Sequence, residues 1–98
     1  GLVVPESLMK IFRESKVKVI SISPVPEKAE GDLLISSWNI SIVAGYHQLG
    51  HFISSLERSD DFNRVDRLNI SPGGKPSEYR VQLVVSRISL LKKEQEKK

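Results

Sequence analysis

The sequence predicts an α+β sandwich in which one four-stranded sheet carries two helices on a single face, assembled from two αββ units in tandem. Two periodicities and a repeat predict it. Apolar and polar residues alternate from Leu33 to Val43, and again through Tyr79, Val81, Leu83 and Val85, the period of a strand with one buried face. Leu8, Ile11 and Phe12, and later Leu49, Phe52, Ile53 and Leu56, recur at helical spacing. The order helix–strand–strand then occurs twice. The strand Val17-Lys-Val-Ile-Ser-Ile-Ser23 answers to Val65-Asp-Arg-Leu-Asn-Ile-Ser71, with apolar residues at the first, fourth and sixth positions of both. That spacing departs from strict alternation and calls for a bulge or twist in each strand.

The elements follow in order. Pro5 suits the first turn of a helix, and the periodicity carries that helix to about Ser15. Residues 17–23 are rich in β-branched side chains and read as a strand closed by Pro24 and Pro26. Residues 24–32, with two prolines and a glycine, read as a polar connection. In the strand 33–43, Leu34, Ser36, Trp38, Ile40 and Ile42 share one face, and Ser37, Asn39 and Ser41 the other. That contrast marks a sheet covered on one side. Gly45 stands at the break to helical spacing, where a residue without Cβ is free to take unusual backbone angles. The helix that follows, within 45–58, is the most informative stretch, with Gly45, Tyr46, Leu49, Phe52 and Leu56 as its structural motif. Asp60-Asp61 ends it, and residues 62–70 read as a third strand. The breakers of 71–77 form a turn or loop before a fourth strand at 77–90.

Composition bounds the function. Ninety-eight residues make one small domain, here 1–90, and the mixed-charge tail 91–98 reads as solvated and disordered. Hydrophobic residues at 39% and charged residues at 28% are ordinary for a globular protein. There is no cysteine, which excludes a disulfide framework, thiol catalysis and a zinc ribbon. The net charge of +3 is modest, and Arg58, Arg64, Arg67, Arg80 and Arg87 are spread among acids, so nucleic-acid binding is not expected. No apolar run is long enough to span a bilayer, and the chain reads as a domain of a longer protein whose anchor would lie upstream.

Candidate chemistry is sparse. His47 and His51, four positions apart, lie on one helical face as in the His-Glu-x-x-His metalloproteases. Gln48 occupies the general-base position, and an amide takes no proton from a metal-bound water. A third ligand is also missing, and Gly50 weakens the helix between them. Two partly exposed helix histidines are the better reading, with no metal and no cofactor expected. Residues 72–76, Pro-Gly-Gly-Lys-Pro, lack the spacing and following helix of a phosphate-binding loop. Asp60, Asp61 and Asp66 read as helix-end and strand-surface acids, and the serines have no histidine–acid relay. Trp38 alternates with Ile40 and Ile42 and belongs in the core. Asn39-Ile-Ser41 and Asn69-Ile-Ser71 match glycosylation triplets but lie in strands. No catalytic residue emerges.

The junction Gly45-Tyr-His-Gln-Leu-Gly-His-Phe52, followed by Ile-Ser-Ser-Leu-Glu-Arg58, a strand and a loop, resembles the PilO family of type IV pilus assembly proteins. The stretch Val17-Lys-Val-Ile-Ser-Ile-Ser-Pro24 and the strand end Val43-Ala44-Gly45 fit the same pattern, and the resemblance covers about residues 8–90. Leu56-Glu57-Arg58-Ser59 before Phe62 is PilN-like, and PilN and the type II secretion protein GspM share the αββ-αββ arrangement. The resemblance implies a ferredoxin-like sandwich in circular permutation, with strands 33–43 and 77–90 central and 17–23 and 62–70 at the edges. It implies a non-enzymatic periplasmic module of an inner-membrane complex, anchored through a segment upstream. It also implies a homodimer or a pair with a PilN-like protein, joined by a PilP-like lipoprotein. Of the two edges the first is the more apolar, so Val17, Val19, Ile20 and Ile22, or the adjacent first helix, are the expected interface. The alternatives are a ferredoxin-like domain for small ligands or regulation, and a GspM-like secretion component.

Overall fold

The computed structural model describes residues 4–60, 62 and 64–90, and the tail expectation for 91–98 lies outside them. The elements are α1 (Glu6–Ser15), β1 (Lys18–Glu30), β2 (Leu33–Gly45), α2 (Tyr46–Arg58), β3 (Arg64–Pro72) and β4 (Glu78–Leu90). They form one antiparallel sheet in the order β1-β2-β4-β3. The cleanly alternating strands are therefore central and the other two are edges, as expected.

Packing follows the periodicity. Trp38, Ile40, Ile42 and Ala44 from β2 and Val81, Leu83 and Val85 from β4 are buried on one face of the sheet. They join Leu8, Ile11 and Phe12 of α1 and Leu49, Phe52 and Leu56 of α2 in a single core, with Ile53 packed against it. The Phe12 and Phe52 rings stack at 5.7 Å and tie the helices together, while Phe62 meets Trp38 edge-on at 6.0 Å. α1 ends at Lys16, whose left-handed φ of 58° lets its N–H reach the Phe12 carbonyl at 3.0 Å.

Two expectations change. The first strand does not close at Pro24: β1 runs on to Glu30, and Gly31, at φ 59°, turns it into β2 with Glu30 opposite Leu33. Proline is tolerated there because β1 is an edge, where its missing N–H faces outward. β3 likewise extends through Pro72, and the following turn needs Gly73, where a Cβ would meet Glu78 at 3.0 Å. The second change is at Gly45, whose φ of −78° and ψ of 173° are ordinary extended backbone. Gln48 makes the junction instead, its side-chain carbonyl accepting the Gly45 N–H at 2.9 Å.

The bulges fall where the repeat placed them. Register slips between Val19 and Ser21 in β1 and between Asp66 and Asn69 in β3. The fourth repeat positions, Ile20 and Leu68, are exposed at these slips, at 54% and 44%. β1, β2 and β4 have 13 residues each, so they reach about 43 Å. The 13 residues of α2 span only about 20 Å. The helices thus cover the half of the sheet around residues 38–44, and the β1–β2 hairpin projects beyond them.

Candidate association surface

The exposed edge of β1 is the feature that the core does not explain. Pro24 lies opposite Trp38, and an edge-strand proline turns its nitrogen away from the ladder. Ile22, opposite Ile40, and Val19, opposite Ile42, follow in the same alternation, so their N–H groups also point outward. Pro24, and Pro26 within the second register slip, remove donors from the rest of the edge. Among the described residues, Lys18 to Ser23 is the longest stretch of this edge without proline, and it is able to accept another strand.

The side chains there divide. Val17 is buried and belongs to the core, and Ile22 is half-buried against it. Val19 and Ile20 are exposed, at 37% and 54%. The opposite edge, β3, is guarded by the Arg64–Asp66 ion pair at 3.0 Å and by its own bulge at Arg67, whose φ is 53°.

No catalytic constellation accompanies this edge. His47 and His51 are exposed on α2, and Tyr46 packs edge-on against His47 at 5.7 Å. Among the described residues, no three histidine, aspartate or glutamate side chains come together in a way that would hold a metal ion. No helix among them is long and apolar enough to cross a membrane.

No protein-family model matches the chain, and no curated relative matches it. Its backbone nevertheless has close counterparts. The type 4 fimbrial biogenesis protein PilO from Pseudomonas aeruginosa superposes with a TM-score of 0.78 at 22% identity, covering 89% of this chain and 72% of that one. The core region of PilO from the type IV pilus system of the same organism superposes with a TM-score of 0.76 at 26% identity, over 92% of this chain and 97% of that one.

This chain is related to PilO.

The match to the PilO core takes in nearly all of both chains, so the likeness is of whole domains and not of one shared motif. A core domain from Akkermansia muciniphila has the same fold at only 14% identity, with a TM-score of 0.73 over 86% of this chain and 53% of that one. The two helices and antiparallel four-stranded sheet agree with a PilO core. Sequence reasoning missed two surface features, the proline-blocked half of β1 and the left-handed Arg67. Pro24 and Pro26 signalled the first, although they read as a loop; for the second, the broken alternation of Val65, Leu68 and Ile70 signalled a bulge but not which residue takes the left-handed backbone.

Proposed function

We propose that this chain is the globular module of a type IV pilus assembly component. It works in the periplasm without catalysis, by pairing with a second copy or with a PilN-like domain of similar fold. A PilP-like lipoprotein is a further partner, and attachment to the inner membrane is supplied from outside these residues. The observation that carries this reading is the whole-domain likeness to PilO, a protein named for fimbrial biogenesis. The ferredoxin-like description of the sandwich belongs to the same proposal. Pairing uses the Lys18–Ser23 edge, because it combines outward backbone donors with exposed Val19 and Ile20.

The sequence has no cysteine, so single introduced cysteines report proximity without background. Partners across an antiparallel pair of edges lie about 4.5–5.5 Å apart at Cα, within disulfide reach. In such a pair only the residue at the two-fold axis faces its own copy. Cysteine placed in turn from Lys18 to Ser23 should therefore give oxidised dimers that peak at one position and fall off steeply on either side, while Glu57→Cys on the exposed face of α2 should not. Equal yields at all sites, or none along β1, would contradict the proposal.

A further inference from the structure

The face of the sheet opposite the helices carries a second feature, independent of the β1 edge. Its centre is neutral and polar, with Ser37, Asn39 and Ser41 on β2 opposite Ser86, Val84 and Gln82 on β4. Two concavities of about 650 and 300 Å³ lie on this face, and Arg67 lines both. The bulge between Asp66 and Asn69 brings it there, at a φ of 53° that disfavours any residue with a Cβ.

The other cations of the larger concavity are already held. Lys28 Nζ meets Glu30 Oε2 at 3.0 Å, and Arg64 Nε meets Asp66 Oδ2 at 3.0 Å. The acids of the face are engaged by these pairs, and among the described residues the Arg67 side chain has no ion pair or hydrogen bond. Asn39, Ser41, Asn69 and Gln82 surround it in the smaller concavity with neutral donors. At the far end of the same face the register sets Ile35 opposite Ile88 and Leu33 opposite Leu90. Ile35 is four residues from Asn39 along β2, on the order of 13 Å.

We infer that this open face docks an extended segment of a partner protein, whose single carboxylate is received by Arg67 and whose aliphatic side chains lie toward Ile35 and Ile88. The two-residue spacing of the face matches the side-chain period of an extended peptide. Glu30 and Asp66 repel a polyanion, so one isolated carboxylate fits and a nucleic-acid backbone does not.

The probe is the capped hexapeptide Val-Ser-Val-Ser-Glu-Ser, which places two valines and the glutamate on one side at this spacing. Titrated into the isotope-labelled 98-residue chain, it should shift the amides of Asn39, Ser41, Asn69 and Gln82 saturably. Arg67→Glu should weaken binding at least about tenfold, the effect expected when a charge-assisted contact becomes repulsive, and should restore binding to the peptide with lysine in place of glutamate. Arg67→Gly relieves the left-handed backbone, so it should melt within a few degrees of the wild type yet lose binding. Sedimentation of the same variants should show unchanged self-association, which separates this surface from the β1 edge. No saturable shift up to the solubility of the peptide would overturn the inference, as would undiminished binding by Arg67→Gly. So would larger shifts of the same amides with oligothymidylate.

Discussion

Phe52 joins both halves of the molecule: it is fully buried, stacks on Phe12 and belongs to the core shared with β2 and β4. Phe52→Ala should cost about 3–5 kcal/mol, a large part of a small domain's stability, because it leaves a cavity as well as losing burial. Denaturant unfolding measures it, and a loss below about 0.5 kcal/mol would contradict the drawn helix face. His47 and His51 make the opposite case. Both are exposed, and Gln48 between them is engaged with the Gly45 N–H. Stoichiometric zinc, or its removal by a chelator, should therefore leave the melting temperature unchanged; a reproducible rise of several degrees with zinc would revive a metal site. Most residue-level assignments in the core were readable because burial imposes a period on sequence. The left-handed backbone of Arg67 was not, since the broken alternation marks a bulge in β3 while the register of β3 on β4 decides which residue takes the left-handed angles.

At the scale of elements, α2 is longer than its intrinsic propensity favours. Gly50 lies in its middle, exposed, with nothing within 4 Å of where a Cβ would sit. Gly50→Ala should stabilise the domain by about 1 kcal/mol through lower chain entropy in the unfolded state, read as a higher melting temperature. Destabilisation would mean that this face of α2 meets something beyond the described residues. The strands were legible to different degrees for a physical reason. β2 and β4 face the core on one side and solvent on the other, so their alternation is clean from Trp38 to Ala44 and from Val81 to Val85. β1 is an edge with little burial, and without burial nothing enforces alternation. Its second half therefore read as a proline-rich loop although it pairs with β2 as far as Glu30. The repeat compensated, because its broken alternation marked both bulges.

For the molecule as a whole, the fold was apparent from sequence, while the extent of its free surface was not. Among the described residues the paired strands outrun the helices and both helices lie on one face, which leaves a projecting hairpin, a sheet face without helices and a short competent edge. An exposed edge with outward donors at Val19 and Ile22 invites another strand, and the blocked half beyond Pro24 limits how far that strand can pair. Such a short pairing is weak unless a further contact raises the effective concentration. Association through that edge is tested most directly by sedimentation equilibrium from micromolar to near-millimolar protein. The wild type should pass from monomer to dimer over this range, alone or with a PilN-type domain added. Val19→Pro removes an outward donor while sparing the β1–β2 ladder, so it should remain folded by circular dichroism and stay monomeric. A wild type that is monomeric throughout and binds no such domain, or a folded Val19→Pro variant that associates as strongly as the wild type, would contradict the account.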